Sequence, residues 1–521
     1  MKDTTLFRNA LAVGLGTLLS RVSGLAREIL ISSFFGATWT TDAFLIAYTI
    51  PNLLRRLFAE GALSTSVVPI FSRYVVDKSY ASKDQSEKFV SAAFSGFTLI
   101  VGAACLLGIA FSPWIVRLVA FGFREEPSKL FLTTRFTQIM FPFLLLVSWS
   151  ALVMGFLNTL NIFSWSAIAP FFFNLGTIVS VFFLRRALGP YALAWGVILG
   201  GMGQFLFQVP PLWQKGLLPK LEVRFWEDEG FRQVTKLMLP VTFSLAVSQL
   251  NTLVDRIVAS LCREGAVSAL YFSDRLMEFP LGIFGVALSI AILPPLSQNA
   301  WSEDMGEWKR ILWQGIRWIL FFMLPATVFL MVFSLPIVNV VYRRGVFDAL
   351  AAKMTSLALL FYAPGLLFFS LNHLLTRAFY SLRDTKTPVR ISVFAVLLNV
   401  VLDVWLVRFL DFRGVALATS VSAFFQFVLL LFSLRRKVGV LWIGFPKDWA
   451  WKVGTQLAVF AGFCRILGGR AGEYPKELFL LLSLGIWALY IAFSFLLKMD
   501  ERKVFTAILR GREKQRPDLE V

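Results

Sequence analysis

The chain has 521 residues, of which 57% are hydrophobic and only 16% are charged. A soluble protein usually carries charge on about a quarter of its residues, so this composition excludes an ordinary soluble enzyme. The formal net charge of +19 does not indicate nucleic-acid binding, because the positive residues are gathered between long apolar runs. Three cysteines and one histidine, His373, form no pattern typical of a metal cluster or a disulfide framework, and no role is assigned to His373.

Fourteen apolar runs are long enough to cross a membrane, which takes about 20 residues. They lie at 11–35, 43–71, 89–113, 136–157, 167–184, 191–209, 237–261, 266–296, 318–341, 354–379, 389–407, 414–434, 449–467 and 478–497. Little sequence remains for a soluble domain. We therefore expect an all-α polytopic membrane protein with 14 transmembrane helices.

Positive residues are unevenly distributed between the two sides of such a chain. With this number of spans, 29 Lys and Arg lie on the side that holds both termini and 15 lie on the opposite side. Because positive loops tend to stay in the cytoplasm, both termini are expected there. The segments 124–135 and 343–353 run against this bias, since they place several positive residues outside. The positive surplus is otherwise suited to contact with anionic membrane lipids.

Four arginines lie inside the first two apolar runs, where a membrane helix should have none. Arg21 and Arg27 interrupt 11–35, whereas Arg55 and Arg56 interrupt 43–71. A charge at bilayer depth costs about 2.5 kcal/mol or more, so such residues usually face a wet cavity and serve a function. Arginine also has a rigid fork of donors that matches phosphate oxygens. Together with Arg275 in the eighth run, these residues predict a cavity for an anionic, phosphorylated substrate.

An alternative is that the charges pair with one another and only hold the helices together. Arg56 and Glu60 have the i,i+4 spacing of a helical pair, and Asp274 and Glu278 have the same spacing in the eighth run. This alternative accounts well for Glu60 and Glu278. It accounts poorly for the arginines, which outnumber the nearby carboxylates.

A separate set of oxygen-bearing side chains lies mainly in the C-terminal half. Asp255 is in the seventh run, Asn399 and Asp403 are spaced i,i+4 in the eleventh, and Thr419 is in the twelfth. Such groups suit either a small cation such as sodium or a carboxylate that takes up a proton. The competing interpretation is that Arg256 neutralises Asp255 and that Asp403 lies near the outer end of its helix.

The two halves of the chain resemble each other. The second and eighth runs share five identities at a constant offset of 225, in which Ala62-Leu63-Ser64, Pro69 and Ser72 recur as Ala287-Leu288-Ser289, Pro294 and Ser297. This predicts two pseudo-symmetric six-helix lobes, 1–213 and 230–436, joined by a cytoplasmic linker at 214–229. The remainder, 437–521, would add two C-terminal helices and a cytoplasmic tail. Repeat-built transporters bind substrate between their repeats.

Several strings together resemble the MurJ/MviN family of bacterial lipid II flippases, within the multidrug/oligosaccharidyl-lipid/polysaccharide exporter superfamily. They are Ser20-Arg21-x-x-Gly24-x-x-Arg27, Thr41-Asp42-Ala43-Phe44, Pro51-Asn-Leu-Leu-Arg55-Arg56-Leu-Phe-Ala-Glu60-Gly61-Ala62, Asp274-Arg275-Leu-Met-Glu-Phe-Pro280 and Asp384-Thr-Lys-Thr-Pro388. The resemblance implies a V-shaped pair of six-helix lobes and alternating access. It also implies a groove at the thirteenth and fourteenth helices for the polyprenyl tail.

The resemblance also implies roles for individual residues. It places the substrate-binding positions of the family at Arg21, Arg27, Glu28, Asp42, Arg55, Arg56 and Arg275. Glu28 stands where many members have Asp, which keeps the charge and lengthens the side chain. A sodium site found in part of the family corresponds to Asp255, Asn399, Asp403, the backbone carbonyl of Val415, and Thr419.

The function implied by the resemblance is movement of lipid II, an undecaprenyl-diphosphate-linked muropeptide, to the outer leaflet of the bacterial inner membrane. No covalent chemistry and no cofactor would be needed, apart from sodium or the membrane potential as the driving force. Other cell-wall synthesis proteins are candidate partners. The alternatives are a flippase for another polyprenyl-diphosphate-linked saccharide and a multidrug or cation antiporter of the same superfamily. The antiporter should have an acidic or aromatic cavity instead of an arginine-rich one.

Overall fold

The structure, a computed structural model, describes residues 2–57, 63–76, 83–300, 305–439, 447–468, 475–499 and 501. These residues form helices and connecting loops, with no β-strand among them. The helices of the N-terminal half are α1 (Lys2–Phe35), α2 (Trp39–Arg55), α3 (Ser64–Val76), α4 (Lys83–Val119), α5 (Pro127–Met140), α6 (Phe143–Thr159), α7 (Phe163–Val179), α8 (Arg185–Leu188), α9 (Tyr191–Gln214), α10 (Glu229–Ser260) and α11 (Ala266–Pro280). Those of the C-terminal half are α12 (Ala287–Asn299), α13 (Gly306–Val332), α14 (Ser334–Val341), α15 (Ala349–Ser381), α16 (Lys386–Leu410), α17 (Phe412–Val438), α18 (Lys447–Gly468) and α19 (Lys476–Leu496).

The predicted class, an all-α polytopic membrane protein, is confirmed. Ten helical stretches of the described residues are long and apolar enough to cross a membrane. The predicted runs 11–35, 43–71, 237–261 and 449–467 correspond to α1, α2 with α3, α10 and α18, which are not among those ten. α2 has only 17 residues. For these four runs, a membrane span stays a prediction.

The chain divides into two compact units. The first comprises Met1–Tyr271 with Tyr342–Ala351, and the second comprises Phe272–Val341 with Ala352–Val521. Within the first unit, α10 packs on α2, α3 and α4. The lobes predicted from the repeat, with their boundary at 214–229, stay a prediction.

Small and polar residues bring α1 and α7 together in the first unit. A side chain at Gly16 would put its Cβ 2.9 Å from the backbone carbonyl carbon of Ala167, so the close approach requires glycine. Further along both helices, the side-chain amide of the buried Asn174 donates to the Ser20 carbonyl and to Ser23 Oγ, both at 3.0 Å. In a membrane, helices associate through close packing and hydrogen bonds of this kind, because lipid is as apolar as the side chains.

Part of the predicted linker, residues 217–222, has no regular secondary structure and lies along α4. The backbone amides of Lys220 and Glu222 donate to Ser91 Oγ and Ser95 Oγ at 3.0 and 2.9 Å. Lys220 and Glu222 are two residues apart in the linker, and Ser91 and Ser95 are one helical turn apart on α4. Each of the two amides therefore meets one serine. Asp228 then caps α10 by accepting from the amide of Phe231 at 2.8 Å.

In the second unit, α18 and α19 pack on α13. The aromatic side chains of Phe321, Phe460 and Tyr490 belong to one buried cluster, and Tyr490 Oη donates to the Phe321 carbonyl at 2.7 Å. Beyond α19, the buried Glu501 accepts from Arg317 at 3.0 Å and from the Trp449 indole at 3.0 Å. These contacts anchor the helices for which a lipid-tail groove is predicted. The groove itself stays a prediction.

The loop between α15 and α16 is fixed by Asp384. Its carboxylate accepts from the amide and hydroxyl of Thr387 at 3.0 and 2.8 Å, and from Lys437 Nζ at the end of α17 at 2.7 Å. Partial burial would raise the pKa of this carboxyl, but the hydrogen bonds from Lys437 and Thr387 outweigh it and lower the pKa to about 2. The ionised carboxylate therefore caps α16 and ties it to α17.

Asp384→Asn should lower the unfolding temperature of the purified protein at neutral pH, with a loss of about 1 kcal/mol, as is usual for a helix cap. The folded pKa lies below the unfolded value of about 3.9. The stabilisation is consequently present above about pH 4 and disappears toward pH 2. The difference between wild type and variant, measured by thermal unfolding in detergent, should shrink over that interval. Glu307→Gln, which removes the exposed pair of Glu307 with Arg310, is the matched control and should not change the unfolding temperature.

Candidate substrate site

A buried ion pair lies in the middle of α1. The guanidinium of Arg27 donates through Nη2 to Glu28 Oε1, which also accepts from Tyr271 Oη at 2.9 Å. Glu28 is 2% exposed, and the Arg27 side chain is 16% exposed. The Arg27 guanidinium lies 5.5 Å from the ring centroid of Phe173, within the range of a cation–π contact. Neither Arg27 Nε nor Glu28 Oε2 has a hydrogen-bond partner among the described residues.

Arg21, the third predicted substrate-binding residue of α1, lies on an exposed side of the helix. Ser20 and Ser23, which share a helix face with Arg27, are used to bind Asn174 of α7. That face of α1 therefore combines a packing contact with α7 and the charged group around Arg27.

Arg55 and Arg56 at the end of α2 are held by neutral amides. Arg55 Nε donates to Asn52 Oδ1 at 3.0 Å, and Arg56 Nη1 donates to Gln249 Oε1 of α10 at 3.3 Å. An amide oxygen orients a guanidinium and brings no negative charge of its own. Glu60, the predicted partner of Arg56, lies outside the described residues.

Asp42 belongs to the first turn of α2. Its carboxylate reaches the N-terminus of α11 and caps that helix. It accepts from the amides of Gly265 and Ser268 at 2.7 and 2.9 Å, and from Ser268 Oγ at 2.6 Å. The buried Lys129 places its Nζ 3.7 Å from the same carboxylate and 4.0 Å from the Phe123 ring centroid. Both carboxylate oxygens thus have partners within the first unit. A role of Asp42 in binding substrate stays a prediction.

The N-terminus of α2 is capped in return from the α11 side. Glu264 Oε1 accepts from the amide of Trp39 at 3.0 Å, a pair separated by 225 positions. This separation equals the offset predicted for the repeat. The two helices therefore cap each other's N-terminus, since the N–H groups of a helix N-terminus need outside acceptors. Their relation as repeats stays a prediction.

In the second unit, Arg275 pairs with Glu278 one turn further along α11, with side-chain exposures of 31% and 45%. The alternative of local pairing therefore accounts for Glu278. The predicted sodium ligands Asn399 and Asp403 are buried on α16, where Asn399 Nδ2 donates to Asp403 Oδ2 at 2.9 Å. On α17, which packs on α16, Thr419 Oγ1 donates to the buried Val415 carbonyl at 2.9 Å.

The predicted sodium ligands are divided between the units. Asp255 is in the first unit, where its Oδ2 accepts from Asn251 at 3.4 Å. The neighbouring Arg256 donates to the Val267 carbonyl at 3.3 Å and lies 5.5 Å from the Tyr271 ring centroid. The four ligands of the second unit offer oxygen atoms, as a hard cation prefers. Among the described residues no group of three His, Cys, Asp or Glu could hold a metal ion.

Three residues of the site were not predicted: Tyr271, Gln249 and Lys129 contact Glu28, Arg56 and Asp42, respectively. No local pattern identifies the first two. Lys129 could have been identified from the sequence, because it belongs to the positive segment 124–135 that runs against the charge bias.

A separate apolar cavity of about 910 Å³ lies between α4 and the linker, lined in part by Leu99, Trp149 and Trp226. The predicted site residues are not among its lining residues.

The chain is similar to proteins of one bacterial family. The family described as "Lipid II flippase MurJ" matches residues 31–480. A lipid II flippase MurJ from Burkholderia cenocepacia is 37% identical over 437 residues, covering 83% of this chain and 84% of that protein. A probable lipid II flippase MurJ from Vibrio cholerae is 37% identical over 436 residues, covering 82% of each.

Solved structures show the same fold. A lipid II flippase MurJ in an inward closed conformation has a TM-score of 0.79 and 27% identity, covering 96% of this chain and 100% of that chain. An inward-facing multidrug transporter of the MATE family and MOP superfamily has a TM-score of 0.63 and 14% identity, covering 81% of this chain and 96% of its own. The second likeness shows a shared fold only.

Asp42→Asn should destabilise the protein by about 3 to 5 kcal/mol, because it leaves the buried Lys129 without its carboxylate. The double variant Asp42→Asn with Lys129→Met should recover part of this loss, because the unpaired charge is removed as well. Thermal unfolding of the four proteins of this double-mutant cycle measures the coupling. Simple additivity of the two single changes would contradict the pairing. Ser268→Ala, which removes one hydrogen bond and no charge, is the control and should cost far less.

Proposed function

Because the chain belongs to the MurJ family of lipid II flippases, we propose that it moves lipid II from the inner to the outer leaflet of the bacterial cytoplasmic membrane. The main support is the buried group formed by Arg27, Glu28 and Tyr271, which places a guanidinium where a membrane protein would otherwise avoid charge. Both termini would lie in the cytoplasm, as the charge bias of the loops predicts. Transport would proceed without a covalent step.

The arginines would bind the diphosphate of the lipid. Arg27 has one face toward Phe173 and its Nε without a hydrogen-bond partner among the described residues, so a donor remains for an anion. Arg55 and Arg56, oriented by amides, would add further positive charge in the first unit. A role of Arg275, in the second unit, stays a prediction. A hydrogen bond to a charged group contributes about 1.5–3 kcal/mol. Several such bonds would draw the diphosphate away from water and from the inner-leaflet headgroups.

Glu28 would keep the site stable when no substrate is bound. A buried guanidinium without a counter-charge is costly, and the contact with Glu28 provides that charge. When a diphosphate approaches, it would compete with Glu28 for Arg27. The hydrogen bond from Tyr271 would then hold the carboxylate in place. The pair therefore permits exchange of one anionic partner for another.

The caps at α2 and α11 suggest how access could alternate. Asp42 joins the first turn of α2 to the N-terminus of α11, and Glu264, two residues before α11, accepts from the first amide of α2. Opening the outer side would break these hydrogen bonds and expose the groups to water, which can replace them. We therefore assign the mutual capping to the state that is closed on the outside.

A sodium ion would be held in the second unit by Asn399, Asp403, the Val415 carbonyl and Thr419. Asp255, the fifth predicted ligand, belongs to the first unit. The buried oxygen atoms of the α16 and α17 residues suit a hard cation. Bound sodium would supply a positive charge beside Asp403, and the gradient of sodium or the membrane potential would drive the cycle. Diphosphate contacts are common to all polyprenyl-diphosphate-linked saccharides, so the choice of lipid II rests on the family.

Arg27→Lys should lower the rate of lipid II translocation in proteoliposomes by about tenfold, the effect of losing about one charge-assisted hydrogen bond. Lysine retains the charge that Glu28 needs but lacks the guanidinium fork. Arg27→Ala and Arg275→Ala should abolish complementation of a depleted strain while the proteins remain folded in the membrane. The matched control is Arg310→Gln, which removes an exposed arginine paired with Glu307. Full activity of Arg27→Ala, or an unchanged leaflet distribution of lipid II on depletion, would refute the proposal.

Asp403→Ala should abolish any difference between translocation measured with a sodium gradient and with the same gradient of potassium. The reason is that the variant removes the only carboxylate among the predicted ligands of the second unit. The experiment compares initial rates in the same proteoliposome preparation with each cation. If the variant responds to sodium as strongly as the wild type, sodium does not bind at Asp403.

A further inference from the structure

The apolar cavity beside the linker is a gap between two helices that pack on a third. α4 and α9 each pack on α6, and residues of all three helices line the cavity together with the linker. Trp149 of α6 connects the two sides, because its Nε1 donates to Thr98 Oγ1 of α4 at 2.8 Å and its ring lies 5.3 Å from that of Phe205 of α9. The volume of about 910 Å³ is typical of a ligand pocket. We refer to this cavity as the linker groove.

Polar side chains in the walls of the linker groove already have hydrogen-bond partners. Ser95 Oγ accepts from the amide of Glu222 at 2.9 Å, and Thr98 accepts from Trp149. A Cβ at Gly102 would meet no atom within 4 Å, so the groove is open at this level. A polar ligand would lose hydrogen bonds to water on entering such a space. The groove is therefore suited to a hydrocarbon chain.

The linker groove extends along α4 from the level of the linker into the membrane. The linker crosses α4 at Ser91 and Ser95, and α4 carries no charged residue between Lys88 and Arg117. Because the linker is charged, its level marks the membrane surface. Leu106 is the lining residue of α4 furthest from the linker, and the helix rises about 17 Å between Ser95 and Leu106. Half of the hydrocarbon core is about 15 Å thick, so the groove has the depth of one leaflet.

Apolar side chains of the linker lie at the surface end of the groove. Leu221 and Val223 line the groove, yet they are 87% and 67% exposed. The exposed Trp226 lies beside them, and tryptophan is enriched where membranes meet water. A neighbouring group of exposed apolar side chains is typical of a surface that contacts a membrane. The linker end of the groove is therefore suited to contact with lipid.

Two charged residues of opposite sign line the linker groove, Lys220 and Glu222. Lys220 Nζ donates to Glu87 Oε2 at 3.4 Å, but its side chain remains 78% exposed. Glu222 Oε1 accepts from the amide of Arg224 at 3.3 Å. An ammonium group has three donors and a carboxylate has about four acceptor sites, so each can bind a further group. This end of the groove is complementary to a ligand that carries both charges.

We propose that the linker groove binds one acyl chain of a phospholipid whose headgroup carries a phosphate and a primary ammonium group, as phosphatidylethanolamine does. Lys220 binds the phosphate, and Glu222 accepts hydrogen bonds from the ammonium group. A choline headgroup has no N–H donor, and a glycerol headgroup has no positive charge. With the linker in the cytoplasm, as the charge bias predicts, the lipid belongs to the inner leaflet. This binding is additional to the transport of lipid II.

Photo-labelling of the full-length protein in detergent tests the proposal. The probe is phosphatidylethanolamine with a diazirine on one acyl chain, and peptide mapping by mass spectrometry locates the label. Unlabelled phosphatidylethanolamine, phosphatidylcholine and phosphatidylglycerol with the same acyl chains compete with the probe.

Two variants, each with a matched control, separate the chain from the headgroup. Gly102→Phe fills the groove, and its control is Gly485→Phe in α19, another helical glycine with no atom within 4 Å of its Cβ position. Glu222→Gln removes the carboxylate of the groove. Its control is Glu227→Gln, which changes an exposed linker residue that does not line the groove.

In the wild type, the label should lie within residues 94–106. Phosphatidylethanolamine should compete about tenfold better than the other two lipids, equivalent to about 1.4 kcal/mol. Gly102→Phe should reduce this labelling about tenfold, because the ring occupies the space of the chain, whereas Gly485→Phe should not. Glu222→Gln should abolish the advantage of phosphatidylethanolamine, because the ammonium group loses its acceptor, and Glu227→Gln should retain it.

Unchanged labelling of residues 94–106 in Gly102→Phe, in a protein that unfolds at the wild-type temperature, would show that no chain lies in the groove. Equal competition by the three lipids, or stronger competition by phosphatidylglycerol, would overturn the choice of headgroup. Competition in the wild type and in Glu222→Gln decides the headgroup even where Gly102→Phe does not fold. The test contains no lipid II, so its failure leaves the flippase proposal standing, and a failure of translocation leaves the groove standing.

Discussion

One guanidinium held inside the first unit by one carboxylate is the contact on which the proposed site depends. Neighbouring residues of a helix point about 100° apart, so the long Arg27 side chain must bend to reach Glu28. Tyr271 supplies the second bond that fixes Glu28, and Phe173 covers the guanidinium. This arrangement keeps a cation away from bulk water without saturating its donors. A site for an anion needs both properties, because a fully satisfied arginine could not bind and an unpaired one could not remain buried.

Carboxylates with fixed hydrogen-bond partners also hold the ends of several helices. Asp42 caps α11, Glu264 caps α2, Asp384 caps α16, and Glu501 holds Arg317. Apolar burial gives little direction inside a membrane, so hydrogen bonds to charged groups determine which helix ends meet. Such contacts can also be exchanged for water when a passage opens. A transporter can therefore use them to hold a closed state that remains reversible.

The local part of the charged network was predictable and the distant part was not. The alternative of local pairing was stated for Glu278, and Arg275 lies within one helical turn of it. Ser20 and Ser23, which share a helix face with Arg27, instead pack α1 on α7. Gln249 and Tyr271 were missed, because they reach Arg56 and Glu28 from 193 and 243 residues away. No periodicity within a helix reports contacts at such separations.

The sequence by itself determined the membrane class, the helical fold, the arginine-bearing helices and the family resemblance, since run length, charge and short strings are local properties that survive without coordinates. Only the tertiary structure decided which partner each charge has. Asp42 is one example. The family resemblance of Thr41-Asp42-Ala43-Phe44 marks it as a site residue, but its hydrogen bonds to Ser268 join residues that are 226 positions apart. The linker groove is another case, since α4, α6, α9 and the linker are separate segments of the chain that form it only when they pack together.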